Sequence, residues 1–188
     1  MRARAELSTL LLLLLGACAA DPVPRPRGYF RIDLPAQTYT TWSDSVSMVL
    51  EVPSAARITT RGARGEAQWY DIRYPALRGT VHLTWSPVGD DLPQLIEDAH
   101  AFKNTHQSKA GGIRSERMIR PEDRVFGTLF SVEGDVASPF VFYLTDSTTN
   151  FLYGAVYFDT PPNADSLAPV TERVRADMEH LAATLQWR

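Results

Sequence analysis

The chain of 188 residues contains one cysteine, Cys18. No intramolecular disulfide can form, so stability must come from burial and backbone pairing. No apolar run reaches the roughly 20 residues that a spanning helix needs. The run Leu10 to Leu15 is far shorter, and residues 136–144 and 151–158 are strand-length. There is no basic block and the formal net charge is −3, which argues against nucleic acid as a partner. The four histidines, His82, His100, His106 and His180, form no His-Glu-x-x-His pattern. His100 and His106 are six apart and fall on different sides of a helix, so no metal is expected. No Gly-x-Ser-x-Gly elbow presents a nucleophile. Gly111-Gly112 lacks the Gly-Lys-Thr continuation of a phosphate loop. Asp146-Ser147 with a remote histidine could serve a hydrolase, but Asp and Ser bond their own backbone in turns, and a turn is the simpler reading. Glu172, Asp177 and Glu179 read as helix surface. The expectation is a protein without catalytic residues or cofactor.

The amino terminus is more informative. Arg2 and Arg4 precede the apolar run, and Gly16 and Ala17 follow it. A charged start, a short apolar stretch and small residues before a cut site describe a secretory signal peptide. Leu15-Gly16-Ala17-Cys18 resembles the lipobox of bacterial lipoproteins. That resemblance implies diacylation of the Cys18 thiol, cleavage before Cys18 and acylation of the new amino terminus. Removing 1–17 leaves 171 residues, enough for one domain. The removed part carries a net +1, so the mature chain is near −4. Two or three acyl chains make a durable anchor, because each buried methylene contributes about 0.8 kcal/mol. The expected localisation is the cell envelope, with the domain in the periplasm or at the cell surface.

Pro22, Pro24 and Pro26 make residues 18–27 a semi-stiff spacer. A single domain over 28–188 follows. Residues 28–35 read as an extended strap that lays Phe30, Ile32 and Leu34 on the domain; the alternative is a docking strand for a partner. Val46–Val52, Trp69–Tyr74 and Thr80–Trp85 read as strands. Residues 54–66, with Gly62 and Gly65, read as a loop or weak element. Asp90 or Asp91 can cap a helix with Pro93 in its first turn and Leu92, Leu95, Ile96, Ala99 and Phe102 on one face. Gly111-Gly112 ends it, and 115–123 is a polar connection. Residues 124–133, 139–145 and 151–159 form an antiparallel meander, because their links are short. Asp165 or Ser166 caps a last helix, whose stripe is Leu167, Val170, Val174, Met178, Leu181 and Leu185. Pro169 requires the start of that helix to lie close by. Glu172, Arg173, Arg175, Asp177 and Glu179 are left to solvent, and Trp187 packs back on the sheet.

Strands in grouped runs argue for an α+β fold, mostly antiparallel, with two amphipathic helices covering one face of the sheet. In the last long strand Phe151, Tyr153, Ala155 and Tyr157 share one side. If the other side packs under the helices, Tyr153 and Tyr157 are left open. Tyrosines on an open face suit a protein interface. Otherwise the strap or the 54–66 loop covers them. Tyr29, Tyr153 and Tyr157 are the candidate partner-binding residues.

Taken together, Gly28-Tyr29-Phe30-Arg31-Ile32-Asp33-Leu34-Pro35, Thr80–Trp85, Val136–Phe140, Phe142–Ser147, Gly154–Phe158 and Pro162–Val170 resemble, in order, the gliding motility lipoprotein GldD family. The resemblance runs from Cys18 to Arg188 and is weakest over 37–66. It implies a membrane-anchored accessory of gliding and of the type IX secretion machinery, bound to other envelope proteins. It carries over no catalytic residue. The element order also looks like a PsbP-type α/β/α sandwich, a likeness of architecture only. The rival functions are a periplasmic hydrolase, using Ser147 or Ser138 with a histidine, and a lipoprotein that binds a small ligand or lipid.

Overall fold

In the computed structural model the described residues are 32–44, 46–104 and 110–188, the side chains of 102–104 excepted. The lipobox, the spacer, Tyr29 and Phe30 lie outside them. Arg31–Arg188 form one compact unit. Its strands are β1 (Tyr39–Ser43), β2 (Met48–Pro53), β3 (Arg57–Arg64), β4 (Ala67–Tyr74), β5 (Gly79–Pro87), β6 (Gly112–Arg120), β7 (Val125–Glu133), β8 (Phe140–Thr145), β9 (Asn150–Phe158) and β10 (Gln186–Trp187). Helix α1 spans Leu92–Asn104 and α2 spans Ala164–Thr184. Seven strands form one antiparallel sheet in the order β3-β4-β5-β9-β8-β7-β6, and β1-β2-β10 form a second, small one. The fold is α+β, and β7-β8-β9 are the expected meander.

Alternation divides the large sheet into two differently covered faces. Tyr70, Ile72, Val81, Leu83, Leu144, Leu152 and Val156 point one way and join Met48 and Leu50 of β2 with Val170, Val174, Met178 and Leu181 of α2 in the main core. Phe151, Tyr143 and Tyr153 point the other way and meet Leu92, Leu95, Ile96 and Ala99 of α1. The helices therefore lie on opposite faces, not on one as their patterns suggested. Periodicity marks the apolar stripe of a helix and is silent about which sheet face receives it.

Two segments read as connections are strands. The 54–66 stretch is β3 and the 115–123 stretch is largely β6, the two edges of the large sheet. Both are exposed along most of their length, so neither shows apolar alternation. Ile32 and Leu34 are more than one-third exposed and the chain around them has no regular structure, so they do not form the expected strap. Asp91 occupies the cap position of α1, its carbonyl accepting from the Leu95 N–H at 3.0 Å. Helix α2 is capped by Asn163, whose side chain accepts from the Ser166 N–H at 3.0 Å, rather than by Asp165 or Ser166. Pro169 lies beyond the first turn of that helix. Trp187 pairs opposite Met48 on the small sheet, and its indole N–H donates to the Arg124 carbonyl at 3.1 Å.

Asp177 also departs from the solvent-facing expectation, since it is 1% exposed. It lies three residues from Val174 and seven from Val170, hence on the buried stripe. The Tyr39 hydroxyl donates to it at 3.0 Å, and Arg173 lies 3.4 Å away. Burial pushes the Asp177 carboxyl above the usual carboxylate range despite both partners. Tyr39 in turn stacks on His180 at 3.6 Å, and His180 meets Glu51 at 2.6 Å. These contacts fasten β1 and β2 to α2.

Candidate functional site

Helix α1 covers only part of its face. Register places Arg57, Arg73, Thr80 and Tyr157 in one row across β3-β4-β5-β9. Thr59, Asp71, His82 and Ala155 form the next row, and Trp69, Thr84 and Tyr153 a third. Residues directly across strands share a face. Tyr153 belongs to the cluster under α1, and burial raises its hydroxyl pKa. Tyr157 is 38% exposed. The two tyrosines therefore part company: α1 covers one, and the other borders an open corner.

At that corner Asp71 is 2% exposed although it carries a carboxylate. Its cover is made by its partners. The Nδ1 of His82 lies 2.7 Å from Oδ1, Arg73 donates to Oδ2 at 3.2 Å, and Arg61 stands 3.8 Å from Oδ1. Arg61 also lies over the Trp69 ring, 5.6 Å from its centroid. Burial alone would push the Asp71 carboxyl up, but the hydrogen bonds from His82 and Arg73 outweigh it and hold the group below its ordinary value. An ionised carboxylate only accepts, so the His82 proton sits on Nδ1 and Nε2 is the ring's remaining polar atom. The His82 ring lies 5.6 Å from that of Tyr157. Arg61 reaches this face through a bulge between Thr60 and Gly62.

Arg57, Arg61 and Arg73 against Asp71 leave the corner with two excess positive charges. Arg57 stands directly across from Arg73, a like-charge pairing that disfavours the sheet. A carboxylate brought to these two guanidiniums relieves that repulsion and can be held by paired hydrogen bonds. Chemically, the corner is an acceptor-binding surface with an aromatic border.

The other sequence-predicted residues fall elsewhere. Ser138 is fully buried and its hydroxyl donates to the Phe140 carbonyl. Ser147 lies in the left-handed region, φ 68°, in the turn built by Asp146. The Asp146 carboxylate accepts from the N–H groups of Thr148, Thr149 and Asn150 at 2.7 to 2.9 Å. Among the described residues no group of three His, Cys, Asp or Glu side chains is placed to hold a metal ion. Nor is any helix there long and apolar enough to cross a membrane.

The profile of the gliding motility lipoprotein GldD family matches residues 19–187. The chain belongs to that family. Membership ties it to gliding motility and, as a lipoprotein, to membrane anchoring in the cell envelope. No individually curated protein matches the chain significantly.

Sequence reading missed the Asp71 cluster, although a signal for it existed. Residues 69–74 and 80–85 read as neighbouring strands, and pairing Tyr74 with Gly79 across their short link puts Asp71 opposite His82.

Proposed function

We propose that this chain is a non-enzymatic accessory of the gliding motility and type IX secretion machinery. Acyl chains on Cys18 hold it to a membrane, residues 18–27 space the domain from the lipid, and the domain works in the periplasm or at the cell surface. It docks an acidic segment of an envelope protein on the corner formed by Arg57, Arg61, Arg73, His82 and Tyr157. Family membership supports the setting. The observation that carries the docking reading is the uncovered Arg57–Arg73 pair beside a buried carboxylate that fixes the neighbouring side chains.

The test is a clean gene deletion, scored for surface spreading and protein secretion. Complementation uses wild type, Cys18→Ala, and the double variant Arg57→Glu/Arg73→Glu. Loss of both phenotypes, restored by wild type alone, is the expected result. Normal spreading and secretion in the deletion strain would overturn the assignment. Full rescue by the double variant would remove the corner from it, and membrane retention of the Cys18→Ala protein would remove the anchor.

A further inference from the structure

A second site lies on the opposite face of the large sheet, past the edge of the small one. A cleft of about 590 Å³ opens there, within the range of about 300–1,000 Å³ typical of small-molecule sites. Its floor is Thr60 of β3, Gln68 and Tyr70 of β4, and Trp85 of β5, which register places side by side. Its wall is Trp42, Ser43, Asp44, Val46 and Ser47.

The wall is fixed by the chain itself. The Asp44 carboxylate accepts from the N–H groups of Val46, Ser47 and Met48 at 2.9 to 3.0 Å and from the Ser47 hydroxyl. The Tyr70 hydroxyl donates to its second oxygen at 3.0 Å. Asp44 is therefore a scaffold, with its acceptor capacity used inside the protein. Trp42 meets Tyr70 edge to face, centroids 5.1 Å apart, and the Trp85 indole N–H donates to Asn150 at 2.9 Å. Tyr70 and Trp85 are thus tied by hydrogen bonds and Trp42 by its contact with Tyr70.

Of the other polar groups in the lining, the Ser43 hydroxyl donates to the Met48 carbonyl at 3.1 Å. The side chains of Thr60, Glu66 and Gln68 also line the cleft, and none of them takes part in a side-chain hydrogen bond or ion pair among the described residues. The charged residues of the lining are Asp44 and Glu66, both acidic, which disfavours phosphates and free acids. Fixed aromatic planes with an amide, a hydroxyl and a carboxylate beside them match a pyranose ring. Its C–H face lies on an indole, and its hydroxyls need both donors and acceptors. We infer that this cleft binds a neutral saccharide. A quaternary amine would use the rings and Glu66, but it would leave Gln68 and Thr60 without a role and most of the volume empty. The second large cleft, lined by Glu122, Arg124, Asp146 and Trp187, contrasts with it. There the Asp146 carboxylate and the Arg124 guanidinium already bond Thr148 and its neighbours.

The experiment uses the full chain carrying Cys18→Ala, titrated with N,N′,N″-triacetylchitotriose, cellotriose and, separately, choline, and followed by tryptophan fluorescence and calorimetry. Variants are Trp42→Ala and Gln68→Ala, with Arg57→Glu/Arg73→Glu as a control on the other face. Gln68→Ala removes an amide without touching the packed rings, so it remains informative if Trp42→Ala unfolds. The expected result is saturable binding of at least one trisaccharide, weakened about tenfold by Gln68→Ala and unaffected by the arginine control. No saturation by either trisaccharide, saturation by choline alone, or binding indifferent to Gln68→Ala and Trp42→Ala each overturns the inference. None of these outcomes bears on the docking corner.

Discussion

Replacing Asp71 with Asn tests whether the open corner is built around a buried charge. The substitution keeps the shape and removes the charge that accepts from His82 at 2.7 Å and Arg73 at 3.2 Å. Breaking a fully buried ion pair costs about 3–5 kcal/mol, because the abandoned partner stays desolvated. Here the partners are open: the side chains of Arg61, Arg73 and His82 are 47%, 62% and 37% exposed, and they return to water. What is lost is closer to the worth of one good hydrogen bond to a charged acceptor, about 2 kcal/mol. The pH dependence has a definite sign. The folded-state value of Asp71 is depressed, so its contribution is complete above the unfolded value near 3.9 and disappears as pH falls through the lower folded value. Urea unfolding of the acyl-free protein, followed by tryptophan fluorescence, should show a wild-type advantage that is level from about pH 5 to 7 and shrinks below about pH 4. An advantage under about 0.5 kcal/mol at pH 7 would refute the reasoning. So would an advantage that persists undiminished through about pH 2, since the carboxylate would then not be its source.

Gly127→Ala puts a Cβ 2.0 Å from the Tyr143 carbonyl oxygen, a backbone atom that cannot rotate away. It should destabilise by about 3 kcal/mol, the upper part of the overpacking range, in the same urea assay. Gly79→Ala meets the Phe158 ring at 2.9 Å and the Tyr157 carbonyl oxygen at an ordinary 3.5 Å and should cost about 1 kcal/mol, so similar losses for the two would contradict the packing argument. Asn163→Ala removes the α2 cap and should lower stability by about 1 kcal/mol, with Asn163→Asp close to wild type.

The parts of this fold legible in the sequence are those whose pattern has one cause. The strands β4, β5 and β7 to β9 bury one or both faces, so their apolar residues alternate or run continuously. The stripe of α2 from Val170 to Leu181 meets one core. The strands that were not legible lie at edges. There Thr59, Arg64, Glu116 and Arg117 face water, and pairing is decided by the neighbouring strand rather than by burial. The side of the sheet that α1 occupies depends on the crossing from β5 near the middle of the sheet to β6 at its margin, and no local period encodes that choice. Asp177 looked like surface because its type is usually exposed. Its position on the stripe, three residues from Val174, was the better guide. The candidate corner was half legible: Tyr157 was identified from alternation, but the charged residues beside it were scattered over two strands and a bulge.

The edges of the large sheet also bear on how a partner can be held. An unprotected edge invites a foreign strand. Here β3 carries Arg57, Arg61 and Arg64 with a bulge after Thr60, and β6 carries Arg114, Glu116, Arg117 and Arg120. Charges and bulges are the usual means of refusing strand addition. On the docking role proposed above, a partner would therefore be read through side chains on a face rather than through backbone pairing at an edge. The same bulge that spoils the β3 edge turns Arg61 toward Asp71 and Trp69. One local irregularity thus discourages indiscriminate strand pairing and completes the charged corner, and on the docking role proposed above selectivity would reside in the arginine positions and their spacing.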